Sequence, residues 1–162
     1  MYKIAIITVS DKGARGERID ESGPAIREML YSLGEVVSYR VVPDEPDILK
    51  GSLINLSDVE NVHLILTTGG TGLGPRDNTP EATLAVIDRE VPGLAEAMRM
   101  ESLKKTNRAM LSRAVAGMRR STLIINLPGS VKAARECLEI ILPALAHGLE
   151  ILSGAGGECG LF

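Results

Sequence analysis

Four short apolar runs alternate with segments of helical periodicity along this chain of 162 residues. The runs are rich in valine and isoleucine and cover residues 3–9, 35–42, 63–67 and 122–127. Continuous apolar runs of this length are typical of strands that are buried on both faces of a parallel sheet. Because residues 35–42 are the most mixed in polarity, this strand is expected nearest an edge of the sheet.

Between these runs, apolar residues recur at helical spacing. Residues 26–33 carry such a stripe, which predicts a helix that opens with Pro24 and stops at Gly34. Another helix is expected to open at Pro46, since proline suits the first helical position.

Three further helices are predicted in the second half of the chain. Thr79 and Pro80 suit the N-cap and first position of one helix, and residues 93–103 suit another. Ser130 suits the N-cap of the last helix. Pro143 is expected to bend or break that helix, because proline lacks a backbone donor and clashes with the preceding turn.

Alternating strands and helices predict a three-layer, Rossmann-like α/β fold in which helices cover both faces of a mainly parallel sheet. The length and the 44% of hydrophobic residues suit one domain over residues 1–162. No internal repeat or linker divides the sequence. The glycine-rich residues 153–162 are expected to form a flexible tail.

The composition argues against several classes of function. A formal net charge of -3, no tryptophan and one phenylalanine oppose nucleic-acid binding, because they leave neither a basic surface nor aromatic platforms for bases. No stretch reaches the ~20 apolar residues of a membrane span, and the N-terminus lacks a signal-peptide pattern. A cytoplasmic protein is therefore expected, with no membrane or nucleic-acid partner. Cys137 and Cys159 lack metal-ligand spacing, so structural zinc is not expected.

The loop after the third apolar run reads TTGGTGLGPRDNTPEA and places four glycines within six residues before Arg76 and Asp77. It contains neither the Lys-Ser/Thr of a P-loop nor the GxGxxG of dinucleotide-binding folds. Its glycines would let backbone N–H groups approach an anion closely. A plain tight turn explains the same residues, and both interpretations stay open.

Four loops are expected at the carboxyl ends of the strands, which is where such folds bind ligands. They cover residues 10–18, 43–46, 68–79 and 128–130.

Two of these loops carry the carboxylates Asp44 and Asp77 beside the glycine loop, which favours magnesium, since that ion is usually held by one or two carboxylates plus substrate phosphates. The alternatives are that Asp77 is a turn residue and that Asp44 caps the helix opened by Pro46. Arg76 could contact a phosphate or pair with a carboxylate.

Five segments, in this order and spacing, resemble the molybdopterin adenylyltransferase family of molybdenum cofactor biosynthesis, whose eukaryotic relatives include the G domain of gephyrin. The segments are TVSDKGARGERIDESGP, VPDEP, TTGGTGLGPRDNTPEAT, MLSR and INLPGS. The resemblance spans nearly the whole chain. TGLGPRD and PGS depart from the residues that other members place there, which affects substrate fit rather than fold.

The resemblance implies that the enzyme transfers AMP from Mg-ATP to the terminal phosphate of molybdopterin and releases pyrophosphate. The nucleophile would be a phosphate that is already ionised, so no strong general base is required. His63 and His147 accordingly suit structural or surface roles. The alternative is a non-catalytic molybdopterin-binding or scaffolding paralogue.

Site residues follow from the resemblance. Asp44 and Asp77 are expected to be catalytic and to hold or orient Mg²⁺. The residues expected to bind nucleotide or phosphate are Ser10, Asp11, Gly69, Gly70, Thr71, Gly72, Pro128, Gly129 and Ser130.

The basic segment 102–113 is either a solvated helix face or a site for the molybdopterin phosphate, with Arg108, Ser112 and Arg113 as its expected ligands. The implied partners are ATP, molybdopterin, further copies of the chain in a homotrimer or a hexamer, and a downstream molybdenum insertase.

Overall fold

The computed structural model describes residues 1–154, which form a six-stranded sheet with helices on both faces. The strands are β1 (Tyr2–Val9), β2 (Gly34–Val42), β3 (Leu64–Thr68), β4 (Arg89–Glu90), β5 (Ala116–Arg119) and β6 (Thr122–Leu127). Their order in the sheet is β2-β1-β3-β6-β5-β4. β2, β1, β3 and β6 run parallel, and β5 is antiparallel to both of its neighbours.

Within residues 1–154, five α-helices and one 3₁₀ helix lie between successive strands, and a sixth α-helix follows the last strand. They are α1 (Asp11–Ala14), α2 (Ser22–Met29), α3 (Pro46–Asp58), α4 (Thr79–Leu84), α5 (Pro92–Leu103), the 3₁₀ helix (Asn107–Leu111) and α6 (Val131–Leu152). The mainly parallel α/β fold predicted from the sequence is confirmed, and β2 does lie at an edge.

Two hydrophobic clusters, one on each face of the sheet, form the core. Along β1, Ile4 and Ile6 pack into the cluster that includes α2, α5 and α6. Ala5 and Ile7 point to the opposite face, where α3 and α4 cover them. This alternation explains why the central strands carry apolar side chains on both faces.

The antiparallel edge formed by β4 and β5 was not predicted. β4 has two residues and β5 has four, which is too short for a period-2 pattern to stand out. Gly117 in β5 is required by packing, because an added Cβ would collide with Ile87 and with the backbone oxygen of Arg89.

Helix α2 starts and ends earlier than predicted. It begins at Ser22, so Pro24 is its third residue rather than its first. The chain leaves the helix after Met29, and Gly34 is the first residue of β2 rather than a helix stop. A Cβ at Gly34 would collide with the carbonyl oxygen of Tyr2 on β1, so the glycine serves close strand approach.

Three other helix predictions have mixed outcomes. Thr79 is the first residue of α4 rather than its N-cap, which is Asn78. Ser130 is confirmed as the N-cap of α6, where its Oγ accepts a hydrogen bond from the Ala133 N–H at 3.2 Å. Of the bend or break expected at Pro143, the break is wrong, since α6 continues without interruption across this residue.

Within residues 1–154, no helix is long and apolar enough to cross a lipid bilayer. Cys159 and all but the first two residues of the predicted tail lie outside the described residues.

His63 has the predicted structural role: its Nδ1 accepts a hydrogen bond from the Lys3 N–H at 2.9 Å, and its ring lies edge-on to Tyr2.

Candidate functional site

The four predicted loops meet at the carboxyl edge of the sheet and surround a cavity of about 610 Å³, which we call the acidic cavity. Its lining carries five carboxylates and two cations. The predicted site residues that line it are Ser10, Asp11, Asp44, Gly69, Gly70, Asp77, Gly129 and Ser130. The excess of negative charge suits a cation, or an anion that arrives with one.

Asp11 and Asp44 bind each other's backbone across this cavity. The Asp11 N–H donates to Asp44 Oδ2, and the Asp44 N–H donates to Asp11 Oδ1, both at 3.0 Å. This reciprocal pair joins the loops that follow β1 and β2. The hypothesis that Asp44 caps α3 is wrong, because Glu45 occupies the N-cap position and no side chain caps it.

Arg76 pairs with carboxylates rather than standing ready for a phosphate. Its Nε and Nη2 donate to the two carboxylate oxygens of Asp11 at 2.6 and 3.0 Å, and Nη2 also donates to Glu45 at 2.8 Å. The hydrogen bonds from Arg76 and from the Asp44 backbone hold the pKa of Asp11 below its ordinary value. Asp11 is therefore a fully ionised structural anchor.

Asp44 lies in the opposite environment. Burial raises the pKa of Asp44 above its ordinary value, and the charges of Asp11 and Asp77 raise it further against the hydrogen bond from the Asp11 backbone. A half-buried carboxylate with two anionic neighbours is an unfavourable charge that a cation would stabilise.

Asp77 shapes the glycine loop as well as lining the cavity. Its Oδ2 accepts a hydrogen bond from the Gly74 N–H at 2.9 Å, and its own N–H donates to the Gly74 carbonyl at 3.0 Å. The interpretation of Asp77 as a turn residue is thus confirmed for one carboxylate oxygen. The same side chain lines the acidic cavity, so the turn role and a ligand role are compatible.

Two glycines are needed where the loop leaves β3. Gly69 and Gly70 have φ of 101° and 68°, in the left-handed region that favours glycine. A Cβ at Gly69 would collide with the carbonyl oxygen of Val9, and one at Gly70 would collide with Thr79 Oγ1 and lie 3.3 Å from Asp44 Oδ1. Only bare backbone fits between these loops.

Sequence reasoning missed Asp20, which anchors the outer wall of the acidic cavity. Its carboxylate accepts hydrogen bonds from Thr8 Oγ1 at 2.6 Å, from the Ser22 and Gly23 N–H groups at 3.1 Å, and from the Tyr39 hydroxyl. Burial, together with Asp20, raises the pKa of Tyr39 to about 12. The available signal was an aspartate two residues before the serine that starts the helix.

A second cavity of about 510 Å³, the basic cavity, lies beside the first. Among the described residues, its lining carries four cations and one carboxylate, that of Glu136. The cations are Arg99, Lys105, Arg108 and Lys132. Its other lining includes the predicted residues Thr71, Gly72, Ser112, Pro128 and Ser130, and the apolar side chains of Ala95, Met98 and Leu111. Apolar walls with several cations suit a flat heterocycle that bears a phosphate.

The two cavities share a wall. Ser130 lines both, and the glycine loop contributes Gly69 and Gly70 to the acidic cavity and Thr71 and Gly72 to the basic one. Ligands in the two cavities would therefore meet at this loop.

Arg113 near the basic cavity differs from expectation, whereas Cys137 does not. Arg113 is not among the residues that line the cavity, because its guanidinium contacts the glycine loop. Cys137 lies on a helix face, as predicted, and lines the cavity. Burial raises the pKa of the Cys137 thiol, which keeps it protonated and uncharged.

Comparison with known proteins identifies the family. Residues 5–147 match the family described as a probable molybdopterin binding domain. The molybdopterin adenylyltransferase of Helicobacter pylori strain J99 is 45% identical over 154 residues, which cover 93% of this chain and 88% of that protein. Gephyrin of Dictyostelium discoideum is 42% identical over 161 residues, 93% of this chain but 22% of gephyrin.

A solved structure agrees with these relatives. The molybdopterin biosynthesis enzyme MoaB of Thermus thermophilus is 58% identical, with a TM-score of 0.90 over 95% of this chain and 98% of that one. The fold and the site define an α/β domain with ligand cavities at the carboxyl edge of its sheet. The chain belongs to the molybdopterin adenylyltransferase family of enzymes in molybdenum cofactor biosynthesis, as the resemblance implied.

Proposed function

We propose that this enzyme transfers AMP from Mg-ATP to the terminal phosphate of molybdopterin, giving adenylylated molybdopterin and pyrophosphate. The observation that carries the proposal is the pair of adjacent cavities of opposite charge that share Ser130 and the glycine loop. The acidic cavity suits a metal-bound triphosphate, and the basic cavity suits a pterin with a phosphate.

The residues of the acidic cavity fit a magnesium ion bound together with a nucleotide. Asp44 uses Oδ2 for the Asp11 backbone and Asp77 uses Oδ2 for the Gly74 backbone, while within residues 1–154 the Oδ1 atom of each accepts no hydrogen bond. In the same part of the chain, no three His, Cys, Asp or Glu side chains are grouped to hold a metal alone. One or two carboxylates completed by phosphate oxygens are typical of Mg²⁺.

Bound there, Mg²⁺ would supply positive charge to the phosphates of ATP. Asp44 and Asp77 would hold that ion in place. Within residues 1–154 the Gly70 N–H donates no hydrogen bond and is available to phosphate oxygens, whereas the Gly69 N–H donates to the Leu127 carbonyl at 3.1 Å. Ser10, Asp11 and Gly129 complete the nucleotide site. Thr71, Gly72 and Pro128 line the basic cavity rather than the acidic one, and Ser130 lies in the shared wall.

The transfer itself requires little from the protein beyond positioning and charge. An oxygen of the molybdopterin phosphate forms a bond to the α-phosphorus of ATP, and the bond from that phosphorus to the bridging oxygen breaks. Pyrophosphate leaves with the electron pair. Because the attacking phosphate is ionised at neutral pH, no side chain has to accept a proton.

The pterin phosphate is held by the cations of the basic cavity. Arg108 and Lys132 are exposed at its rim and Ser112 offers a hydroxyl. Arg108→Ala should weaken molybdopterin binding by about 1.5–3 kcal/mol, the typical loss of a charged hydrogen bond, and leave Mg-ATP binding intact.

The test is incubation of the pure protein with molybdopterin and Mg-ATP, followed by mass detection of adenylylated molybdopterin. The proposal predicts product with wild type and none without Mg²⁺. Molybdopterin binding without any product would instead identify the non-catalytic paralogue.

We also propose a homotrimer or a hexamer built from it, a cytoplasmic location where Mg-ATP is available, and delivery of product to a molybdenum insertase. These proposals rest on the family resemblance.

A further inference from the structure

Arg113 holds the glycine loop from beneath with its whole guanidinium group. Its Nε donates to the Gly72 carbonyl at 2.8 Å, its Nη2 donates to the Asp77 carbonyl at 2.6 Å, and its Nη1 pairs with the Glu81 carboxylate. The Arg113 N–H also donates to the Thr71 carbonyl at 3.0 Å. These contacts cover both ends of the segment between Thr71 and Asp77.

Asp77 is consequently fixed at two points. Its carbonyl is held by Arg113, and its carboxylate Oδ2 is held by the Gly74 N–H. With the backbone clamped below and one carboxylate oxygen tied within the loop, the direction of the remaining oxygen, Oδ1, is determined. A planar guanidinium can make all three side-chain contacts at once, whereas a lysine ammonium is a point donor without that fork.

We propose that Arg113 is a positioning residue that sets Asp77 for metal-nucleotide binding in the acidic cavity, rather than a ligand of the pterin phosphate. This inference rests on the proposed function for the identity of the metal nucleotide. It assigns to Arg113 a role separate from that of Arg108, which lines the basic cavity.

The test compares Arg113→Met and Arg113→Lys with a matched control. The control is Arg119→Met, because Arg119 likewise donates to a carbonyl, that of Val86 at 2.8 Å, and to the carboxylate of Asp58 at 2.6 and 3.0 Å. Arg119 lines neither cavity. Any general loss of stability from removing such an arginine should be similar in the two Met variants.

The first readout is the Kd for Mn-ATP, measured by calorimetry, alongside the Kd for molybdopterin and the Mg²⁺ dependence of turnover. Arg113→Met should raise the Kd for Mn-ATP about tenfold or more and shift half-maximal turnover to higher Mg²⁺. The Kd of Arg113→Lys for Mn-ATP should fall between those of Arg113→Met and wild type. In both variants the Kd for molybdopterin should stay within about twofold of the wild-type value. Arg119→Met should lower the melting temperature but leave the Kd for Mn-ATP and the Mg²⁺ dependence of turnover unchanged.

The second readout requires no substrate. The Gly74 N–H donates a hydrogen bond to Asp77 Oδ2. Hydrogen exchange at this N–H should accelerate in Arg113→Met and not in Arg119→Met. Unchanged exchange at Gly74 would overturn the inference, even if the protein proved unable to form the adenylylated product. A raised Kd for molybdopterin with an unchanged Kd for Mn-ATP would also overturn it and return Arg113 to the pterin phosphate.

Discussion

At the scale of single residues, Asp44 and Asp11 form a carboxylate pair whose environments shift their pKa values in opposite directions. Arg76 stabilises the charge of Asp11, while burial and anionic neighbours oppose that of Asp44. Groups whose environments push their pKa values apart are common at functional sites. The pair makes a prediction about stability as well as activity.

Asp44→Asn should stabilise the ligand-free protein at neutral pH. The folded-state pKa of Asp44 lies above the unfolded value of 3.8, so its charge opposes folding above that folded-state pKa and has no effect well below 3.8. Thermal unfolding should therefore show a gain for Asp44→Asn at pH 7 that shrinks as the pH falls towards 4.

Asp11→Asn provides the control with the opposite sign. Because the pKa of Asp11 is lowered on folding, its charge adds stability above the unfolded pKa, and that stability is lost as the pH falls through the folded pKa. Asp11→Asn should destabilise at pH 7. Destabilisation of similar size by both variants at pH 7 would contradict the account.

Asp44→Asn and Asp77→Asn should each reduce turnover ~10²-fold or more, since each removes charge needed where phosphate charge develops. Asn keeps a carbonyl oxygen for the Gly74 and Asp11 N–H groups, so the fold should survive. If both act on one ion, the double variant should be little worse than the poorer single one. Losses that multiply in single-turnover measurements would argue for two separate roles.

Sequence spacing identified the residues whose roles depend on local backbone, such as Gly69, Gly70 and Asp77. It did not identify roles that depend on contacts between distant segments. Arg113 reaches carbonyl groups 41 and 36 positions away in the sequence. Asp20 accepts a hydrogen bond from the hydroxyl of Tyr39 on β2. A side chain that binds backbone carbonyls leaves no pattern in the residues it binds.

At the scale of elements, the two glycines that follow β3 control how closely the loops meet. Gly70→Ala should destabilise the protein by roughly 1–3 kcal/mol, because alanine resists positive φ and its methyl group would collide with Thr79. It should also displace Asp44 and reduce Mg-ATP binding. Chemical denaturation and nucleotide titration would measure the two effects.

Gly51→Ala is the matched control. Gly51 lies inside α3, and a Cβ there would meet no atom within 4 Å. This variant should stabilise by roughly 0.5–1 kcal/mol. A Gly70→Ala protein as stable as Gly51→Ala would contradict the steric account of the loop.

The long elements could be predicted because burial on both faces leaves an uninterrupted apolar run in the sequence. β4 and β5 could not, since their pairing depends on a short antiparallel edge. The early start of α2 has a local cause, because the Asp20 carboxylate accepts hydrogen bonds from the first two N–H groups of the helix. The helix-breaking tendency of Pro143 is overcome by packing. Leu138, Ile141 and Leu145, which lie on both sides of the proline, are buried in the core.

At the scale of the whole molecule, we expect no stable monomer. The apolar face of α6 is largely covered by the chain's own core. Large apolar side chains elsewhere remain exposed, among them Tyr31 at 90% and Met100 at 68%. Sedimentation at micromolar concentration should show an assembly, and a folded species of 17.3 kDa would count against it.

The central claim is that the two cavities hold two substrates at once. Binding of molybdopterin and of Mg²⁺ with α,β-methylene ATP, an analogue that cannot release pyrophosphate, should be measured separately and together by calorimetry. The account predicts that both bind simultaneously, that Asp44→Asn weakens only the nucleotide, and that Arg108→Ala weakens only molybdopterin. Mutually exclusive binding, or loss of both ligands in either variant, would contradict it.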